Sequence, residues 1–173
     1  MSGTPGTAEW WGGILFATAL VLGAGGPILA LTGTVVATRL PEALTWAGLV
    51  LIVLGFAGVL ASQAGMGASW RIGVDATERT ELVTTGVFAV VRNPIFTAML
   101  TTVAGLTLMV PTAVSAAAWL CLFAAVELQV RLVEEPYLLA IHEQDYASYT
   151  GRVGRFLPGL GRLRRPPRSE KIS

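Results

Sequence analysis

Long apolar runs separated by shorter polar segments dominate the chain. Four of these runs approach the roughly 20 residues that a helix needs to cross the hydrocarbon core of a bilayer. They cover residues 10–31, 43–64, 94–110 and 112–132. None alternates between polar and apolar positions as barrel strands do. Because helices satisfy their own backbone groups in lipid, the pattern predicts an all-α integral membrane helical bundle with four transmembrane helices and a cytoplasmic C-terminal segment of short helices.

The last two apolar runs are separated only by Val110, Pro111 and Thr112. Such a short connection requires a tight antiparallel helical hairpin. The hairpin returns the end of the fourth run to the membrane face where the third run begins. The polar segments at residues 70–96 and 127–158 are therefore predicted to lie together on that face.

Charge is scarce and unevenly distributed. Only 13% of the 173 residues are charged, against roughly 25% in soluble domains, which favours a lipid-facing surface. Eleven of the twelve basic residues lie between the second and third runs, or at and after the end of the fourth. By the positive-inside rule, we expect a multi-pass protein of the cytoplasmic (inner) membrane with both termini in the cytoplasm. We predict one domain over residues 1–158 and a basic, disordered tail over residues 159–173 that contacts anionic lipids.

Several classes of function are disfavoured by composition. Cys121 and His142 are the only cysteine and histidine, so neither a disulfide framework nor a multi-histidine metal site is expected. The net charge is +1, which argues against binding of a nucleic acid or another polyanion. The expected partners are membrane lipids and a lipophilic small molecule. The pattern does not indicate an oligomeric state.

Candidate chemistry is concentrated at the two ends of the predicted hairpin. Glu127, Arg131, Glu134 and Glu135 have the spacing of one helix face. They form either an ion-pair ladder that carries the helix out of the membrane or part of a functional site, since ionisable residues at membrane depth usually face a cavity or a partner. Asn93 and Pro94 have the features of a helix start, and a helix N-terminus can also bind an anion.

The same segments resemble the isoprenylcysteine carboxyl methyltransferase family of membrane enzymes. The resemblance covers roughly residues 70–158 and rests on short pieces in matching order: Leu82–Phe88, Val91–Phe96, Glu134–Leu138, Tyr146–Tyr149 and Phe156–Pro158. In the family, the third span begins Arg-His-Pro-x-Tyr-x-Gly. Here Asn93 replaces the histidine, Phe96 the tyrosine and Ala98 the glycine.

The resemblance implies transfer of a methyl group from S-adenosylmethionine to a lipophilic acceptor at the cytoplasmic face. The implied cofactor-binding residues are Thr80, Glu81, Leu82, Val83, Phe88, Arg92, Asn93, Pro94, Phe96, Glu134 and Tyr146. Arg131 is the catalytic candidate for orienting an anionic acceptor. Glu135 or Glu127 would either deprotonate a hydroxyl group or hold Arg131 in place. No metal is implied.

Two other functions remain open at this point. A membrane reductase of the sterol or enone type would bind NADPH and need a basic pocket for its 2′-phosphate. A scaffold that retained the fold without activity would explain the departures at Asn93 and Phe96. For a methyltransferase, the acceptor could be a carboxylate, a hydroxyl or an amine of an isoprenoid, quinone-like molecule, fatty acid or phospholipid.

Overall fold

The computed structural model describes residues 6–66 and 82–163. Five helices account for most of this part of the chain. They are α1 (Ala8–Leu31), α2 (Glu42–Met66), α3 (Pro94–Met109), α4 (Ala113–Gln129) and α5 (Glu135–Arg152). A short 3-10 helix at Gly86–Ala89 precedes α3, and a π-helical turn at Val130–Glu134 joins α4 to α5. Within the described ranges, extended pairing is limited to an isolated bridge between Val91 and Gly154.

The four long apolar helices alternate in direction and pack in the order α1, α4, α3, α2. Burial is greatest along α4 and at the start of the π-helical turn that follows it, where Val126 and Val130 have exposed fractions of 1% and 0%. These side chains join Ala19 of α1 and Leu100 of α3 in one apolar cluster. The outer surface is also apolar, and Val50, Val53 and Phe56 of α2 each expose more than half of their area. An apolar core under an apolar surface is the arrangement expected in lipid.

Helices α2 and α3 approach closely because their contact surface consists of small residues. Gly48 and Gly55 are buried at a spacing of seven residues, which places both on the same face of α2. A Cβ atom on Gly55 would lie 2.7 Å from the carbonyl oxygen of Ala98, and one on Gly48 would lie 2.7 Å from that of Gly105. This close approach of backbones is typical of membrane helices, where association depends on packing.

The predicted hairpin between the third and fourth helices is confirmed. Helix α3 begins with Pro94 as its first residue, and α4 is capped by Thr112, whose side chain accepts a hydrogen bond from the backbone N–H of Ser115 at 3.0 Å. The two helices then run antiparallel, with the indole N–H of Trp119 donating to the carbonyl oxygen of Leu100 at 3.1 Å. Both polar ends of the hairpin therefore lie at the end of the bundle where α1 begins.

The predicted spans agree with α1, α2, α3 and α4 to within about three residues at each boundary. Three helices are long and apolar enough to cross a membrane: α1, α2 and the continuous helix from Ala113 to Arg152. Helix α3 has only 16 residues, about 24 Å at 1.5 Å per residue, against a hydrocarbon thickness of roughly 30 Å. The fold class is confirmed, and a full fourth crossing by α3 stays a prediction.

The C-terminal segment agrees with the predicted short helices in part. Helix α5 follows α4 through the π-helical turn and is interrupted at Glu143, where the backbone is not helical and φ is +40°. The residues after α5 fold back on the bundle as a strap, which we define as residues 153–163. The backbone N–H of Leu163 donates to the carbonyl oxygen of Thr150 at 3.1 Å. The strap continues across residue 158 and is held to the bundle by backbone hydrogen bonds, and the domain boundary predicted there stays a prediction. Residues 164–173 of the predicted tail lie outside the described residues.

Candidate functional site

The chain entering α3 pairs with the strap. The backbone N–H of Arg92 donates to the carbonyl oxygen of Gly154 at 2.9 Å, and that of Asn93 donates to the carbonyl oxygen of Arg155 at 3.1 Å. The side chain of Asn93 donates to the same Arg155 oxygen at 3.3 Å and makes no capping bond to α3. Asn93 thus occupies the predicted N-cap position, but its amide ties the helix start to the strap.

A buried ionic cluster lies beneath this contact. The guanidinium of Arg155 donates two parallel hydrogen bonds, each 2.8 Å long, to the carboxylate of Glu135. One nitrogen of Arg92 lies 2.9 Å from the same carboxylate and donates to the carbonyl oxygen of Gly161 at 2.8 Å. The side chains of Arg92, Glu135 and Arg155 are only 1%, 10% and 9% exposed. Two positive charges therefore share one negative charge in a nearly dry environment.

The donors of this cluster are not all used. Among residues 6–66 and 82–163, the Nε and Nη1 atoms of Arg92 have no hydrogen-bond partner. Burial lowers the pKa of the Arg92 guanidinium from its ordinary value, and Glu135 opposes this effect. The hydrogen bonds from Glu135 raise the pKa of Arg155. A buried cationic group with free N–H donors is a chemical match for a carboxylate or another small anion.

Three further polar side chains from α5 and the turn before it surround the cluster. Burial raises the pKa of the Glu134 carboxyl, and a hydrogen bond from Gln129 opposes this shift. Burial also raises the pKa values of Tyr146 and Tyr149 to about 12. The hydroxyl group of Tyr149 donates to the carbonyl oxygen of Phe88 at 2.6 Å, which fixes the loop before α3 to α5.

The predicted cofactor-binding residues are distributed over two sides of this cluster. Tyr146 links two of the others, since the charges of Arg92 and Glu134 each influence the pKa of its hydroxyl. The ring of Phe88 faces α2, where a Cβ atom on Gly65 would lie 3.5 Å from it, whereas Phe96 packs toward the apolar core. Pro94 is buried at the start of α3, and Leu82 and Val83 are partly buried. Thr80 and Glu81 lie outside the described residues.

The predicted catalytic residues separate into two groups. The expected i, i+4 ion pair between Glu127 and Arg131 is present, and more than half of the Arg131 side chain is exposed. Glu135 forms its ion pairs with Arg92 and Arg155. Of the two carboxylates suggested to hold Arg131, Glu127 is therefore the one that pairs with it. Two guanidinium groups occupy the oxygens of Glu135, and the suggested role of proton acceptor stays a prediction for both residues.

A cleft of about 460 Å³ opens between α1, α3 and α4 at the same end of the bundle. Its walls are apolar and include Phe16, Phe96 and Val126. Glu9 and Gln129 supply polar groups, and Gly12 and Gly13 leave the backbone of α1 open toward the cleft. Arg131 does not line the cleft, since it is two positions from Gln129 and so faces the other side of the helix.

The sequence alone did not single out Arg155, Gln129 or Glu9. Arg155 lies in a segment with several arginines, and spacing gives no basis for choosing it as the partner of Glu135. Gln129 lies two positions from both Glu127 and Arg131, so the i, i+4 pattern that identified those two omits it. Glu9 precedes an apolar run and was indistinguishable from a residue that only starts a helix. The sequence feature that could have identified Glu9 is an acidic residue at the edge of a predicted span.

Comparisons with known proteins agree with this architecture. A family model described as phospholipid methyltransferase matches residues 43–145, more than half of the chain. The nickel-cobalt-cadmium resistance protein NccN of Alcaligenes xylosoxydans xylosoxydans is 29% identical over 121 residues, which make up 69% of this chain and 55% of that protein. The chain thus spans about half the length of this curated relative. No solved structure matches it.

Proposed function

Because the chain belongs to the phospholipid methyltransferase family, which includes membrane methyltransferases like those for isoprenylcysteine, we propose that it methylates a lipophilic acceptor with S-adenosylmethionine. The proposed site lies at the end of the bundle where α3 begins and α4 ends. We assign that end to the cytoplasmic face of the inner membrane, on the basis of the basic residues that follow the second and fourth runs. The acceptor would reach the site from the bilayer.

The observation that carries this proposal is the buried guanidinium of Arg92 with two unpartnered donor nitrogens in the described part of the chain. S-adenosylmethionine has one carboxylate, one amino group and a sulfonium, and the polar groups here match that set. Arg92 would bind the carboxylate. Glu134, whose charge acts on the Tyr146 hydroxyl, would accept hydrogen bonds from the amino group or from the ribose hydroxyls. Aromatic rings such as Phe96 would face the adenine or the positive charge.

Other members of the cluster would act by positioning these groups. Glu135 and Arg155 hold the Arg92 side chain in place, because the bidentate pair fixes the carboxylate on which Arg92 rests. Asn93 would hold the start of α3 against the strap. Thr80 to Val83 would complete the cofactor site by their backbone groups, as the resemblance implies. The departures at Asn93 and Phe96 remove a histidine ring and a hydroxyl group from that pattern, and none of the contacts proposed for Arg92 and Glu134 depends on either.

When bound, S-adenosylmethionine supplies a methyl carbon that a lone pair of the acceptor attacks, while the sulfur keeps the electron pair of the broken C–S bond. The protein must then align the acceptor and exclude water, since the chemistry needs little proton transfer. An amine or hydroxyl acceptor releases one proton. The apolar walls of the cleft around Phe16 and Phe96 would provide the dry surroundings.

Arg131 and Glu127 receive a different role from that suggested by the sequence. Their ion pair is partly exposed and lies outside the cleft. A long guanidinium side chain at the end of a span commonly extends to the headgroup layer. We propose that Arg131, neutralised by Glu127, contacts lipid headgroups and does not touch the reacting atoms.

The experiment is equilibrium binding of S-adenosylmethionine to the purified protein in lipid nanodiscs, measured by calorimetry beside NADPH. We expect binding of S-adenosylmethionine only, and a loss of about tenfold or more in Glu134→Gln, since a hydrogen bond to a charged group is worth about 1.5–3 kcal/mol. Glu127→Gln is the matched control, because it neutralises a carboxylate that we place outside the site. Transfer of labelled methyl groups into extracted lipids then tests the reaction.

Unchanged affinity for S-adenosylmethionine in Glu134→Gln would show that the cofactor does not bind at this cluster. Preferential binding of NADPH would favour a reductase. Absence of both affinities in a folded protein would favour the scaffold.

A further inference from the structure

The cleft is linked to the proposed cofactor site by two of the residues that line it. Phe96, at the start of α3, lines the cleft and also belongs to the residues that the resemblance assigns to the cofactor. Gln129 lines the cleft and hydrogen bonds to Glu134. A molecule in the cleft would therefore lie beside whatever Glu134 binds. A volume of about 460 Å³ is within the range of small-molecule sites.

The residues that line the cleft favour an amphiphilic ligand. Phe16, Phe96 and Val126 form apolar walls suited to a hydrocarbon chain. Glu9 is exposed at the first turn of α1, and among the described residues that line the cleft it is the one that carries a charge. The polar end therefore presents a carboxylate and an amide to the ligand. This arrangement complements a cationic or hydrogen-bond-donating head and repels a carboxylate or phosphate.

Helix α1 lies outside the segment that matches the family, which begins at residue 43. The family match therefore gives no information about Glu9, Gly12, Gly13 or Phe16. These residues are features of this chain that form one side of the cleft. Arg131, the residue that would favour an anionic acceptor, does not line it. Glu9 favours a cationic head group and Arg131 an anionic one. Of these two residues, Glu9 is the one that is in position to contact a ligand in the cleft.

We infer that Glu9, with Gln129, determines acceptor specificity by selecting an amphiphile with an amine or other cationic head for the cleft between α1, α3 and α4. The inference rests on the proposed function in one respect, that the bound amphiphile is the methyl acceptor. The binding preference itself needs no cofactor.

The test is photo-crosslinking in nanodiscs of phosphatidylcholine, without S-adenosylmethionine. The probes are a fatty amine and a fatty acid of equal chain length, each with a diazirine on the chain, and labelled residues are identified by mass spectrometry. We expect the amine to label the residues around Phe16 and Phe96 and the acid to label them weakly. Glu9→Gln should reduce amine labelling about fivefold, and Glu9→Lys should reverse the preference. The expected fivefold reduction corresponds to about 1 kcal/mol, the interaction energy of two partly exposed charges near 4 Å apart.

Two matched controls separate specificity from folding. Glu42→Gln neutralises the acidic residue in the first turn of α2, away from the cleft, and should leave labelling unchanged. Gly13→Phe should block the cleft, because a Cβ atom at Gly13 meets no atom within 4 Å and a larger side chain can point into it. Gly25→Phe, on the same helix but outside the cleft, also meets open space and should have no effect.

Equal amine labelling in the parent and in Glu9→Gln would overturn the inference, as would labelling that Gly13→Phe leaves unchanged. A stronger labelling by the acid in the parent would overturn it as well. Normal amine labelling in a protein that fails to bind S-adenosylmethionine would contradict the proposed function and leave the cleft's specificity standing.

Discussion

Arg155 donates two parallel hydrogen bonds, each 2.8 Å long, to Glu135, twenty residues earlier in the chain. The pair connects the strap to the start of α5. Arg92, which precedes α3, forms an ion pair with the same carboxylate. Three segments that leave or enter the membrane domain are thereby joined at one buried group. This relationship gives the cluster its rigidity.

Glu135→Gln should lower the free energy of unfolding by about 3–5 kcal/mol, because it leaves two buried guanidinium groups without a counter-charge. Glu127→Gln should lower it by about 1 kcal/mol or less, since its partner Arg131 is exposed to solvent. The measurement is unfolding of the purified variants in detergent, followed by tryptophan fluorescence. Similar losses in both variants would show that the cluster contributes little to stability.

Gly55→Ala should separate α2 from α3. Its methyl group would meet the side chain of Thr102 and the backbone oxygen of Ala98, and a backbone atom cannot move aside without shifting the helix. Overpacking of this kind typically costs about 1–3 kcal/mol. Gly25→Ala is the control, because its methyl group meets open space and alanine favours a helix. Thermal unfolding should show a lower midpoint for the first variant and an equal or higher one for the second.

Alkaline pH should destabilise the protein through Tyr146 and Tyr149. Burial raises their pKa values from 10 to about 12, so the unfolded chain releases these protons before the folded one does. The stability that they contribute is complete below pH 10 and is lost as the pH rises toward 12. Unfolding measured from pH 9 to pH 12 should show this decline.

Tyr149→Phe separates the titration from the packing of the ring. The variant should lose stability at neutral pH by about 1–3 kcal/mol, because the carbonyl oxygen of Phe88 loses its buried donor. Its further decline between pH 10 and pH 12 should be shallower than that of the parent. An identical alkaline decline would assign the effect to other groups.

Arg131→Ala tests whether this arginine contacts the acceptor. Since the side chain is exposed and lies outside the cleft, we expect unchanged affinity for S-adenosylmethionine and a turnover within about fivefold of the parent, less than the loss of one charge-assisted contact. The measurements are calorimetric binding and incorporation of labelled methyl groups. Intact binding with turnover reduced a hundredfold would restore the acceptor-orienting role that the sequence suggested.

The amino-acid sequence determined the architecture, because the cost of burying polar backbone groups in lipid leaves few alternatives. The lengths of the apolar runs predicted the four helices, and the three-residue connection at Pro111 predicted the hairpin. From that hairpin it followed that the residues around Arg92 meet those around Glu135, and the 2.9 Å contact between these two side chains confirms it. Local pattern and chain connectivity sufficed for each of these conclusions.

Only the tertiary structure decided which charges pair and which side chains line a cleft. The i, i+4 spacing identified Glu127 and Arg131 because helical neighbours are encoded locally. Glu135 proved to have a second partner, Arg155, brought there by the fold of the strap, and Glu9 reached the cleft through the packing of α1 on α4. Contacts between distant segments depend on the positions of whole helices. A charge therefore has a predictable local partner, but its long-range partner is fixed only when the bundle has packed.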